Sequence, residues 1–254
     1  MDTVTHDGRT TAYRAPGTDE PTVLYIHGSG GTHRVWVNQY APDGPAPGVA
    51  LDLAGHGESD DIDTPAGPET LDAYADDVCA VARETGATVL CGNSLGGAVA
   101  MHVALERDLA IDGLVLCGTG AKLGVGQPLL DALADDFEGA VSMIHQPGML
   151  FADAPEDVVE KSAEMLRTTG RAVTERDFRT CDAFDVRDRL EEIAVPTLAI
   201  TGADDGLTPP SFHEYLVEGI PDATLELVDD AAHLSMLERP DAWNRAVEAF
   251  LDGR

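Results

Sequence analysis

Ser94 stands in Gly92-Asn93-Ser94-Leu95-Gly96, with an apolar run on either side of it. The run before it, "ATVLCGN", reads as a buried strand, and Leu95 to Leu105 reads as an apolar helix. A tight strand-to-helix turn leaves the central residue strained and crowded, and glycines two residues away on both sides relieve the crowding. Such a turn lifts the Ser94 hydroxyl above the strand ends. It also aims the N–H groups and positive dipole end of the following helix at the same spot. A hydroxyl in that position is suited to nucleophilic attack on an acyl carbon, with helix N–H groups ready to meet the oxyanion.

The surrounding elements must hold that turn. "TVTHD" and "RTTAYRA" flank Asp7-Gly8 and read as a hairpin. "TVLYIHG", "GVALDLAG", "ATVLCGN", "GLVLCGT" and "VPTLAITG" are short β-rich runs of the kind buried on both faces of a parallel sheet. Between them, Thr70 to Glu84 puts Leu71, Tyr74, Val78, Val81 and Ala82 on one helical stripe. The alternation predicts an α/β fold, a mostly parallel central sheet with helices on both faces. It breaks after Gly120, where helix-like stretches replace strands, and resumes at Val195. Residues 1–120 and 189–254 are therefore expected to form the core, and 121–188 a helical cap inserted between two strands, with "QPGMLFADAPED" supplying its breaks.

Composition narrows the function. No apolar run approaches the roughly 18 residues that span a bilayer, and the N-terminus lacks the features of a signal peptide. Cys79, Cys91, Cys117 and Cys181 are scattered, with no C-x-x-C pair, and read as buried free thiols. A cytoplasmic location is expected, with the protein a monomer or a homodimer. The chain carries 16 basic against 46 acidic residues, a formal charge of −30, and its only lysines are Lys122 and Lys161. A dispersed acidic surface repels nucleic acid and anionic lipid, so neither is an expected partner. The acidic, arginine-over-lysine composition resembles that of proteins from salt-in halophiles.

The sequence resembles the α/β-hydrolase fold family over nearly its whole length. Beside the G-x-S-x-G turn, "YIHGSGGTHRVW" resembles that family's oxyanion loop, and "DLAGHGESD" its D-x-x-G-H-G-x-S segment. "TGADDGLTPP" resembles the G-x-x-D-x-x-x-P loop, and "DDAAHLSMLERPDAWNRAVEAFL" the final loop and helix. The resemblance implies a catalytic triad of Ser94, Asp205 and His233, in the chain order of this fold. It also implies an oxyanion hole made by the backbone N–H groups of Ser29 and Leu95. His233 would take the Ser94 proton during attack, and Asp205 would hold the imidazole in the right tautomer.

Other residues have plainer readings. His27 and His56 read as braces of glycine-rich loops, His33 as a surface residue or a substrate contact, His102 as a core or helix-face histidine and Asp52 as structural. Asp204 is the neighbour and rival of Asp205, but the spacing to Pro209 selects Asp205. No phosphate-binding loop, dinucleotide fingerprint or metal-ligand pair is present, so no cofactor and no metal is expected. The expected activity is that of a serine hydrolase acting through an acyl-enzyme on a small-molecule ester. The alternatives are a carbon–carbon bond hydrolase of the ring-cleavage-product type and a non-catalytic hydrolase-like binding protein. "GNSLGG" is similar to the carbon–carbon hydrolases, but Leu234 stands where they carry Trp. They also use a cap arginine, for which Arg167, Arg171, Arg176, Arg179 and Arg187 are candidates. Leu123, Leu129, Met143, Met149, Leu150, Phe151 and Phe184 either line an acyl pocket or form the cap's own core, the latter being expected for any single one.

Overall fold

A computed structural model describes residues 1–15, 22–41 and 44–254. Among the described residues, eight strands form one sheet: β1 (Asp2–His6), β2 (Arg9–Arg14), β3 (Val23–Ile26), β4 (Gly48–Leu51), β5 (Val89–Asn93), β6 (Gly113–Cys117), β7 (Thr197–Gly202) and β8 (Ala223–Val228). Their order is β1-β2-β4-β3-β5-β6-β7-β8; β1 and β2 run antiparallel, and β3 to β8 run parallel.

Every residue of β3, β4, β5, β6 and β7 is buried, which is why these strands read as unbroken apolar runs. Their side chains divide between two cores with the period of two that a pleated strand imposes. Leu24, Ile26, Leu90, Leu114 and Leu116 face the side covered by helices Pro68–Thr85 and Leu95–Glu106. Val23, Tyr25, Cys91, Val115 and Cys117 face the side that holds Trp36 and Trp243. All four cysteines are free and buried. β8 is absent from the sequence expectation: its positions are mostly exposed or half-buried, so "ATLELV" carries no apolar run.

Four helices lie between β6 and β7: Gln127–Asp135, Phe137–Ile144, Glu156–Thr169 and Arg171–Ala183. The chain leaves and re-enters the core side by side, where Lys122 bridges to Asp185 and Val186 N–H donates to the Ala121 carbonyl at 2.8 Å. β3 is flanked by β4 on one side and β5 on the other, so the strand order reverses there. The carboxyl ends at such a switch point form a crevice for ligands. No helix among the described residues is long and apolar enough to cross a membrane.

Candidate active site

Ser94 follows β5 at that switch point with φ 55° and ψ −117°, a conformation that costs a non-glycine residue on the order of 1–3 kcal/mol. The flanking glycines have a steric cause. A β-carbon on Gly92 would run into the Gly96 backbone, and one on Gly96 into the Ile26 carbonyl. The turn is braced from outside: Ser94 N–H donates to the Cys117 carbonyl at 2.9 Å, and the Thr119 hydroxyl to the Ser94 carbonyl at 2.8 Å. Thr119 N–H in turn donates to His213 Nε2 at 3.0 Å. Burial pushes His213 down to about 4, so it stays neutral and keeps that lone pair available.

His233 lies in the loop after β8, and its Nδ1 sits 3.0 Å from Asp205 Oδ2. Asp205 is buried after β7 and also accepts from the hydroxyls of Thr201 (2.9 Å) and Thr208 (2.8 Å) and from the N–H groups of Leu207 and Thr208 (2.9 Å each). Burial works against its ionisation, but the interaction with His233 and the bonds from Thr208 outweigh it and hold the carboxyl down at about 2. An ionised carboxylate only accepts, so Nδ1 carries the imidazole proton and the Nε2 lone pair is left free. Asp204 is exposed, and its N–H donates to the Ala231 carbonyl.

Ser94, His233 and Ser29 line one cavity of about 420 Å³. Ser29 follows β3, and Leu95 opens the helix after Ser94. Neither N–H is engaged by another backbone group among the described residues, so both are free to donate. A hydroxyl and a free imidazole lone pair in one cavity, with two unengaged N–H donors, are the groups that acyl transfer uses.

Several residues that hold this arrangement carry no signal in the sequence reading. Asp177, fully buried on helix Arg171–Ala183, accepts from Gly30 N–H at 2.9 Å, from the Tyr74 hydroxyl at 2.6 Å and from His56 Nε2 at 2.9 Å. Thr169 donates to the Gly30 carbonyl at 2.9 Å. The inserted helices thus grip both ends of the residue next to Ser29. Gly148 and Leu150 carbonyls accept from Gly206 N–H (2.9 Å) and Leu234 N–H (3.0 Å), tying the insertion to the loops that carry Asp205 and His233. Asn93 Nδ2 donates to the His233 carbonyl at 3.4 Å.

The remaining histidines are engaged elsewhere. His27 takes Leu53 N–H on Nε2 at 3.0 Å and donates Nδ1–H to the Gly28 carbonyl at 2.8 Å; burial and the neighbouring His56 push it down to about 4. His33 pairs with Asp52, and His102 with Asp72, each at 2.8 Å. Of the insertion's apolar residues, Leu129, Met143 and Met149 line the cavity, against the expectation of core for each, because the cavity opens between insertion and sheet; Leu123 and Leu150 also touch the cavity but are buried members of the two cores. Phe151 and Phe184 are packed in the two cores. None of the five candidate arginines lines the cavity. Arg167 pairs with Glu138, Arg176 with Asp61, Arg187 with Asp185, and both Arg171 and Arg179 with Glu175. Among the described residues, no group of three or more His, Cys, Asp or Glu side chains is disposed to hold a metal ion.

Residues 23–246 match the model of the Alpha/beta hydrolase family. The chain belongs to that family. This α/β-hydrolase is 30% identical over 248 residues to 3-oxoadipate enol-lactonase 2 of Acinetobacter baylyi, covering 92% of this chain and 89% of that protein. It is 29% identical over 247 residues to a pimeloyl-[acyl-carrier protein] methyl ester esterase of Neisseria meningitidis, covering 91% of this chain and 77% of that one. Among solved structures, a thermophilic esterase superposes with a TM-score of 0.87 at 33% identity, covering 99% of this chain and 97% of its own. The α/β-hydrolase is an enzyme, and these relatives are named for esterase or lactonase activity.

Proposed function

We propose that this α/β-hydrolase cleaves small carboxylic esters through an acyl-enzyme on Ser94. The observation that carries the reading is the strained Ser94 turn opening into the same apolar cavity as His233, whose other nitrogen is bonded to a buried, ionised Asp205. In this reading Ser94 Oγ attacks the ester carbonyl while His233 Nε2 takes its proton, and Asp205 stabilises the imidazolium. The N–H groups of Ser29 and Leu95 meet the oxyanion, each worth about 10²–10³ in rate. His233 then gives the proton to the departing alkoxide. Water, activated by the same nitrogen, releases the acid and restores Ser94.

Residues 121–188 act as the cap, and their side chains shape the acyl site. The carbon–carbon hydrolase reading loses its support at this point, because each candidate arginine is paired with a carboxylate and none lines the cavity. The acid excess and the free thiols support a cytoplasmic enzyme of a salt-accumulating cell. Steady-state rates on p-nitrophenyl esters of C2 to C8 acids, set beside a ring-cleavage dienoate, test the assignment. Ester turnover that depends on Ser94 is expected; turnover of the dienoate alone would replace the reading.

A further inference from the structure

We infer that the acyl site is built for uncharged acyl groups and rejects esters whose acyl chain ends in a free carboxylate. The inference rests on the ester-hydrolase reading and concerns which esters that site takes.

Asp, Glu, Lys and Arg make up 24% of the chain, yet none of them is among the 28 described residues that line the cavity. Away from Ser94 the lining is aliphatic, thioether and aromatic, with Leu129, Met143, Met149, Met165, Leu166 and Phe178 facing the space. The polar side chains that remain offer a carboxylate little. Ser162 is 3.0 Å from His145 Nε2. His145 Nδ1 lies 2.7 Å from the Val141 carbonyl, which can only accept, so the proton is on Nδ1 and Nε2 must accept from the Ser162 hydroxyl. That serine's proton is committed. Burial pushes the Cys181 thiol up to about 12, so it is neutral and carries no countercharge. Of the two lining amides, Asn93 donates to the Cys117 and His233 carbonyls and Gln146 remains a neutral donor, while the Ser29 hydroxyl lies 3.6 Å from the Cys181 sulfur. The basic residues of the insertion are occupied outside the cavity by their own carboxylates.

A carboxylate drawn into this lining would lose its water and find no positive charge. Desolvation of an unpaired charge is among the largest penalties a binding site can impose. The net charge of −30 adds a second, longer-range repulsion. The two act over different distances, and salt separates them. At about 2 M KCl the Debye length is a few ångströms at most, so surface repulsion vanishes while the desolvation penalty inside the cavity remains.

The test compares kcat/KM for p-nitrophenyl heptanoate, the mono-p-nitrophenyl ester of adipic acid, and that half-ester with its free carboxyl methylated. Rates are taken at neutral pH in about 0.2 M and 2 M KCl. The half-ester should fall at least about 100-fold below the heptanoate at both salt concentrations. Methylation, which removes the charge and lengthens the chain, should bring the rate to within about tenfold of the heptanoate. A half-ester within tenfold of the heptanoate overturns the inference, and so does a gap that closes at 2 M KCl, which would place the selectivity in surface charge. Failure of the underlying reading looks different: heptanoate would not be hydrolysed, or its hydrolysis would survive Ser94→Ala.

Discussion

Asp205 and His233, 28 positions apart in sequence, meet at 3.0 Å because β7 and β8 are parallel neighbours whose carboxyl ends open side by side. Asp205 is stripped of water and accepts hydrogen bonds from Thr201, Leu207 and Thr208 besides that of His233. A carboxylate so held can anchor one imidazole tautomer and no other.

Asp205→Asn should therefore cost about 10⁴ in kcat, because the amide presents a donor where Nδ1–H needs an acceptor. Asp204→Asn, at an exposed neighbour, should leave kcat within a few-fold. The same pair reports on stability. The folded pKa of Asp205 is about 2 against an ordinary 3.8, a depressed value, so its stabilisation is present above pH 4 and is lost as pH falls towards 2. Denaturant melts should show the difference in unfolding free energy between pH 5 and pH 2 shrinking by about 2 kcal/mol in Asp205→Asn. An unchanged difference would mean that Asp205 is not held as described.

At the Ser94 turn the constraint is steric. Gly92→Ala and Gly96→Ala each place a methyl group against backbone that cannot yield, and should lower stability by at least about 2 kcal/mol or prevent folding. Gly124→Ala, whose added carbon meets nothing within 4 Å, should leave the melting temperature within a degree or two. Equal melts for Gly96→Ala and Gly124→Ala would remove the steric account of the motif.

What could be read from the sequence depended on how local the cause was. β3 to β7 announced themselves because burial on both faces demands continuous apolar runs. The Ser94 turn did so because its strain admits glycine alone at Gly92 and Gly96. β8 did not, since an edge strand with exposed positions keeps polar residues. Asp177 looked like one acid among forty-six; its burial against Gly30, Tyr74 and His56 is created only when the inserted helices fold back over the sheet. For the same reason Leu129 and Met143 could not be told from Phe151 and Phe184, the first two facing the cavity and the others a core.

That division predicts two kinds of variant. Leu129→Trp and Met143→Trp should fill the cavity and shift preference towards acetate over octanoate esters by tenfold or more, since pockets of this kind discriminate by about 1–3 kcal/mol per methylene. Phe151→Ala and Phe184→Ala should lower stability by about 3–5 kcal/mol and leave the ratio of rates little changed. The opposite pattern in paired melts and chain-length profiles would relocate the acyl site.

Salt should act on the whole molecule. With 46 acidic against 16 basic residues, the arginines and two lysines cannot neutralise the surface even though most are paired. Folding brings like charges together, and near 0.1 M salt the Debye length of about 10 Å leaves that repulsion in force. Against a net stability of about 5–15 kcal/mol the sum matters. The unfolding midpoint should rise steeply between about 0.1 M and 2 M KCl. A midpoint indifferent to salt would leave the acidic composition without this explanation.

The central claim is that Ser94 is the nucleophile and His233 its base. Intact-mass analysis after treatment with a fluorophosphonate, followed by peptide mapping, addresses it directly. The account predicts one adduct per chain, on the peptide bearing Ser94, absent from Ser94→Ala and greatly slowed in His233→Ala, with ester turnover falling roughly 10⁶-fold in each variant while the fold is retained. An adduct on another residue, or a Ser94→Ala enzyme that keeps most of its ester hydrolysis, would contradict it.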